Sequence, residues 1–309
     1  MTATSLPKAP PKLRYRVIRN PHAGTKKGIA PNAISRNDLV ELLERHGLGS
    51  DVVETVDAGA ARREARRAVH DGIDVVVAAG GDGTIGAVAS ALLGSDVALG
   101  VLPLGSVMNI PRMLGVPRDL EAAAIALTTG VRRRIDVGEA RGRPFYEAAS
   151  VGMNAAMFRE AQQFEKGDWL SILRTIWVAL RYRPARMHVD LDGAERVRTR
   201  ALMVVMALGP YTGAGMTVAP EARLDDGKFD VRIFRGFSKP ELLRHLAGIA
   251  FGRYRYAPHV STYRAARVRV TSHHPLPSRA DSHDLGTTPL EISMRPLALC
   301  VIAPRQSPN

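Results

Sequence analysis

The chain has 309 residues, 45% of them hydrophobic, which is enough to bury a substantial core and by length favours two domains over one. Lysine and arginine number 43 against 30 acids, and the formal net charge of +13 suits phosphates, anionic lipid surfaces or nucleic acid without choosing among them. The single cysteine, Cys300, excludes an internal disulfide framework and a cysteine-built metal site, and fits a small core residue in a reducing interior.

Residues 1–13 are proline-rich and basic, with neither an apolar segment nor a small-residue cleavage site, so they read as a disordered lead-in. From Arg14 onward, LRYRVIRN, DVVETV, IDVVVAAG and VALGVLPL read as strands, with amphipathic helices near 33–46, 60–71, 85–93 and 120–129. The alternation predicts an α/β domain over residues 14–132, a parallel sheet with helices on its faces. After Gly130 the rhythm changes. RRRIDVGEA, FYEAASVGM, ARMHVDLDG, VRTRALMVVMALG, KFDVRIFR, ARVRVTS and PLEISMR predict an antiparallel, β-sandwich-like domain over residues 133–309, its last strand packing back on the first domain. A long helix over 155–183 and a shorter one starting at Ser238–Glu241 interrupt those strands. No apolar run is long enough to cross a bilayer as a helix, which leads to the expectation of a soluble or peripheral protein.

The strongest chemical signal is GGDGT, Gly80 to Thr84, directly after a valine-rich strand and directly before a helix. Glycines there let backbone N–H groups approach phosphate oxygens, and the helix N-terminus adds its positive dipole end, with Asp82 beside the phosphates or their magnesium. Two further strands end in similar turns: Asn20-Pro21-His22-Ala23-Gly24, and Leu102 to Ser106. Ligands gather at the carboxyl ends of parallel strands, so three such turns predict one shared phosphate site.

NPHAG, GGDGT and PLGS followed by IPRMLGVP resemble the catalytic domain of diacylglycerol kinases, sphingosine kinases and bacterial soluble lipid kinases. Further along, PEARLDDGKFDV resembles that family's magnesium-associated loop and ADSHDLGTTPLEI its catalytic Asp-Gly-Glu segment. The resemblance covers nearly the whole chain and implies ATP and Mg2+ as cofactors, with an active site in the cleft between the two domains. It places nucleotide contacts at Asn20, Gly24, Thr55, Gly81, Asp82, Gly83, Thr84 and Ser106, the general base at Asp281, and magnesium at Asp226 with backbone carbonyls near Arg223 and Lys228.

The sequence departs from the family pattern in three places. Gly86-Ala87 replaces Asn-Glu; Gly105 to Asn109 carries its asparagine one residue late; and Asp281-Ser282-His283 replaces Asp-Gly-Glu. The implied activity is γ-phosphate transfer from ATP to the hydroxyl of diacylglycerol or a related lipid. The departures leave a non-catalytic nucleotide- or lipid-binding homologue as an alternative, and GGDGT, shared with NAD kinases, leaves an enzyme acting on a soluble hydroxyl.

Between Phe158 and Arg183 a tryptophan-bearing apolar stripe lies among arginines. That stripe predicts mostly core packing with a basic edge suited to an anionic membrane surface. The expected partners are therefore a lipid substrate and a membrane surface in the cytoplasm, with a homodimer allowed. No aromatic-interleaved basic stripe supports nucleic-acid binding, and adjacent His273 and His274 point to opposite faces of a strand, poorly placed for one metal.

Overall fold

A computed structural model describes residues 13–21, 34–165, 170–213, 215–235, 241 and 260–305, with residues 162–165, 170–173 and 176 described in backbone only. The first half runs β1 (Tyr15–Arg19), α1 (Arg36–Arg45), β2 (Val52–Glu54), α2 (Ala58–His70), β3 (Val75–Gly80), α3 (Asp82–Leu92), β4 (Ala98–Pro103), α4 (Asn109–Met113) and α5 (Leu120–Thr129). The strands pair in parallel in the order β2-β1-β3-β4. Every residue of β3 and β4 is buried, as strands covered on both faces must be.

Local chemistry sets the helix starts: Ser35, Asp57 and Asp119 accept hydrogen bonds from the N–H groups of Asp38, Ala60 and Ala122, capping α1, α2 and α5. Helix α2 turns Ala61, Ala65 and Ala68 inward, leaving Arg62, Arg63, Arg66 and Arg67 as a solvated face. Two helices differ from expectation. Helix α3 begins inside GGDGT, at Asp82, with Gly81 as its N-cap, and the short α4 follows Met108, which is held at φ 61.

The second half comprises β5 (Val131–Ala140), β6 (Arg143–Phe145), β7 (Ala148–Gly152), α6 (Met153–Glu165), α7 (Leu170–Arg181), β8 (Ala185–Leu191), β9 (Glu195–Ala201), β10 (Met203–Ala207), β11 (Tyr211–Thr212), β12 (Met216–Thr217), β13 (Phe229–Phe234), β14 (Val260–Ala265), β15 (Arg267–Ser272), β16 (Pro277–Ala280), β17 (His283–Thr287) and β18 (Leu290–Ala303). The helix expected over 155–183 is thus two helices, α6 and α7, and the start signal at 238–240 lies outside the described residues. Trp177 of α7 is 56% exposed with the Arg181 guanidinium stacked 4.7 Å from its ring, so this part of the stripe faces outward. Among the described residues no helix is long and apolar enough to cross a membrane.

A six-stranded sheet, β14-β13-β10-β7-β16-β17, packs on β8, β9, β15 and the start of β18 through Val151, Met206, Phe229, Met187, Val189 and Val268. The long β18 runs antiparallel to β15 and β5 and then parallel to β4, where Val301 pairs with Leu99. One ten-stranded sheet therefore passes through both halves.

Candidate active site

The carboxyl ends of β1 to β4 bring the predicted nucleotide residues together. The Asn20 N–H donates to the Ala79 carbonyl at 3.1 Å and its side-chain amide to Thr84 Oγ1 at 3.4 Å, while the Thr55 N–H donates to the Arg19 carbonyl at 2.8 Å. Leu104 donates to the Gly80 carbonyl at 3.1 Å, joining the PLGS turn to GGDGT. The two turns touch at glycines: a Cβ on Gly105 would lie 2.7 Å from the Gly81 Cα. Gly83 and Ser106 are exposed at this end of the sheet, at the N-terminus of α3 and beside it, and Thr84 is buried. Backbone donors and a helix N-terminus at one edge suit phosphate. Gly24 lies outside the described residues.

Asp82, at the first position of α3, also makes contacts that the sequence did not announce. Its carboxylate accepts the backbone N–H groups of Asn109 and Ile110, both at 3.1 Å, and so clamps the start of α4 to GGDGT. Burial raises its pKa, and these backbone bonds oppose the rise.

Asp281 sits in the turn between β16 and β17 at φ 45, in the left-handed region that aspartate tolerates better than most residues. Its carboxylate accepts three backbone N–H groups, from Tyr146 at 2.8 Å, Glu147 at 2.9 Å and Ala148 at 3.2 Å. Burial pushes its pKa up, against those donors and Arg279. Beside it lies a residue the sequence reading missed. Glu147 is 7% exposed, and its Oε2 accepts the Asn109 side-chain amide at 2.7 Å and the Gly213 N–H at 3.3 Å. Burial, followed by the charges of Asp281 and Asp82, pushes its pKa up to about 8. Arg279 is the cation that opposes this; it is itself buried, over the Phe158 ring at 4.2 Å, and burial lowers its pKa.

Asn109 joins the pieces. Its backbone N–H goes to Asp82, and its side-chain amide to Glu147 and to the Gly213 carbonyl at 2.8 Å, linking the first domain to the second across the cleft. Its Oδ1 is buried without a partner among the described residues. The signal that could have found Glu147 was a lone acid at the mouth of the apolar segment FYEAASVGM, where burying a charge needs a reason.

The Asp-Asp-Gly loop is a separate cluster. Asp136 accepts the Gly227 N–H at 2.7 Å and the Leu297 N–H at 2.8 Å, and Asp225 pairs with Arg133 at 3.2 Å and with Arg223 at 3.3 Å. Asp226 accepts the Lys228 N–H at 3.2 Å on one oxygen and pairs through the other with Arg264. Asp230 pairs with Arg232 at 3.1 Å and lies 4.0 Å from Arg264.

Residues 14–140 match the family model described as diacylglycerol kinase catalytic domain, and residues 148–303 match the YegS C-terminal NAD kinase beta sandwich-like domain. The chain belongs to the diacylglycerol kinase family. A diacylglycerol kinase of Bacillus subtilis (strain 168) is 28% identical over 95% of this chain and 97% of its own length. One from Staphylococcus aureus (strain JH9) is 26% identical over 96% and 94%. The crystal structure of a diacylglycerol kinase from Bacillus anthracis superposes with a TM-score of 0.72 at 17% identity, covering 94% of this chain and 97% of that one, and shares the fold.

Within this family of kinases, whose members are phosphotransferases acting on an alcohol, the three departures take on structural meaning. At Gly86 the space of a side chain faces the Tyr146 ring, 3.6 Å from where a Cβ would lie. The displaced asparagine, Asn109, reaches the cleft because the left-handed Met108 turns the chain into α4. Ser282 and His283, at the place of the lost Gly-Glu, are exposed, while Glu147 brings a carboxylate to Asp281 from the entry to β7. The Asp-Asp-Gly loop gathers Asp226, Arg223 and Lys228 as the resemblance implies, but its arrangement does not fit a magnesium ion. Both oxygens of Asp226 are engaged, Arg264 already supplies a positive charge, and no metal-capable group of three His, Cys, Asp or Glu side chains exists among the described residues.

Proposed function

We propose that this chain transfers the γ-phosphate of ATP, entering as its magnesium complex, to a lipid hydroxyl, most simply that of diacylglycerol. The observation that carries the proposal is the link made by Asn109, which puts the phosphate-type turns of β1 to β4 and the Glu147–Asp281 carboxylates on the two sides of one cleft. Phosphoryl transfer needs a nucleotide positioned by donors, an in-line acceptor hydroxyl and a carboxylate for its proton. On this reading the backbone N–H groups at Gly81 to Thr84 and at Ser106 hold phosphate, while a carboxylate of the cluster receives the proton; the resemblance gives that part to Asp281. The names of the relatives support a lipid acceptor. The net charge of +13 and the exposed Trp177 support peripheral contact with anionic lipid.

The test is transfer of labelled γ-phosphate into extractable lipid from mixed micelles containing diacylglycerol, ceramide and sphingoid bases, with NAD as a soluble competitor acceptor. Labelled lipid from the wild type, reduced on Asp281→Asn with the fold intact, is the expected outcome. Label in NAD with none in lipid would replace this reading with a soluble-hydroxyl kinase. ATP binding without transfer to any acceptor would replace it with a binding protein.

A further inference from the structure

We infer that Glu147 is the residue that takes the proton from the acceptor hydroxyl, and that Asp281 is the positioning residue that holds Glu147 in place. This rests on the kinase reading above. The hydrogen bonds divide the work. Asp281 Oδ1 accepts two backbone N–H groups and Oδ2 a third, so its carboxylate is fixed to the segment Tyr146 to Ala148. A proton placed on a carboxylate so surrounded by donors would face N–H groups, so the geometry of Asp281 is poorly suited to receive one. Glu147 is differently supplied: its Oε2 accepts two bonds, and its Oε1 accepts none among the described residues.

The charges around Glu147 point the same way. From α3 it faces Asp82, from the turn after β16 it faces Asp281, and from β16 it faces Arg279; Asn109 at the start of α4 and the Gly213 N–H are its neutral partners. Tyr146, next in the chain, directs its hydroxyl away to Ser90 at 2.9 Å. Glu147 and Asp281 thus share one guanidinium in a buried site, with Asp82 adding a third negative charge against Glu147, and the three cannot all ionise at once. The proton falls on Glu147, the acid with the fewest backbone donors, the single N–H of Gly213. Its pKa, pushed up to about 8, is near the value that makes a general base effective at neutral pH. Asn109 then has a definite task, holding Oε2 so that Oε1 is presented to the acceptor.

In the step itself the acceptor O–H bond breaks and its proton passes to ionised Glu147. The freed electron pair forms the new bond to the γ-phosphorus, and the bond from that phosphorus to the bridging oxygen breaks with its electrons leaving on ADP. Glu147 supplies the carboxylate that the sequence lost when Asp-Gly-Glu became Asp281-Ser282-His283.

Two measurements test this. In steady-state kinetics with the lipid identified above, Glu147→Gln should lower kcat by on the order of 10²-fold or more, with the KM for ATP little changed, and should abolish the rise of kcat with pH. Glu147→Asp should keep part of both. Asp281→Asn removes a neighbouring negative charge and should move the acidic limb to lower pH. A Glu147→Gln enzyme with wild-type kcat and an unmoved limb would overturn the proposal. The second measurement needs no substrate: infrared titration of the protein alone should show a protonated carboxyl that ionises near pH 8, disappears in Glu147→Gln and ionises at lower pH in Asp281→Asn. Its survival in Glu147→Gln, or its absence from the wild type, overturns the assignment. If Glu147→Gln does not fold, the Glu147→Asp and Asp281→Asn titrations decide in its place. Absence of wild-type transfer to lipid rejects the lipid-kinase reading, and the infrared result still decides where the proton sits.

Discussion

Two acidic clusters in this molecule are built by opposite rules. Around the Asp-Asp-Gly loop three acids each have their own arginine: Asp225 has Arg133 and Arg223, Asp226 has Arg264, and the buried Asp230 has Arg232. In the cleft, Glu147 and Asp281 share Arg279, and Asp82 adds a further negative charge against Glu147. A matched cluster holds a loop in place and tolerates water; an unmatched, buried one keeps a proton and costs stability to build, which proteins do where chemistry requires it. The difference predicts that the two sites respond in opposite ways to mutation, pH and metal.

The largest effect belongs to Asp281→Ala. It leaves the N–H groups of Tyr146, Glu147 and Ala148 without their acceptor, and stranded buried donors cost about 1–3 kcal/mol each. Urea unfolding at neutral pH should show a loss of about 3 kcal/mol or more. A loss within about 0.5 kcal/mol, the range of an ordinary surface change, would remove Asp281 as the pin of that segment.

Glu147→Gln should do the reverse. The folded protein holds the Glu147 proton up to about pH 8, against an ordinary value of 4.5, so folding binds a proton across that window and wild-type stability falls as pH rises through it. Glutamine has no such proton. The variant should therefore match the wild type near pH 4 and become progressively more stable than it toward pH 8, by up to about 4 kcal/mol at pH 8 in thermal or urea unfolding. Equal pH profiles would place Glu147 among ordinary carboxylates and erase the contrast between the clusters.

Gly105→Ala probes the phosphate edge. The added Cβ would meet the Gly81 Cα and the Met108 sulfur, both at 2.7 Å, where backbone cannot give way without parting the two turns. Overpacking of this kind costs about 1–3 kcal/mol. Calorimetric titration with ATP should show weakened binding beyond the loss of stability; unchanged affinity would move the nucleotide away from this edge.

These residues also mark how far the sequence could be read. The parallel half was legible because its signals are local: Ser35, Asp57 and Asp119 stand one residue before their helices, and three glycine turns close three apolar strands. The family motifs placed Asn20, Thr55, Gly81, Thr84 and Asp281 in the chain, and the fold supplies their neighbours. What the sequence withheld is long-range pairing. Asp82 finds its partners 27 and 28 residues away at the start of a helix of five residues, too short to carry a periodic signal. Glu147 meets Asn109 from 38 residues away. No spacing rule announces such contacts, and a lone acid in an apolar segment was the single clue.

The smallest expected effect separates the matched cluster from a metal site. Asp226 is engaged by Arg264 and the Lys228 N–H, so the loop needs no added cation to hold its shape. The thermal midpoint of the wild type should be the same in magnesium and in a chelator. Arg264 is 48% exposed on its side chain, and partly exposed ion pairs contribute about 1 kcal/mol or less, so Arg264→Met should cost little in itself. It does leave Asp226 with a free oxygen beside Asp225 and Asp230, and the variant should then gain a magnesium-dependent rise in its midpoint that the wild type lacks. A chelator-sensitive wild type would show that the arginine yields to a metal, and the loop would then join the cleft as a site whose charge is completed from outside.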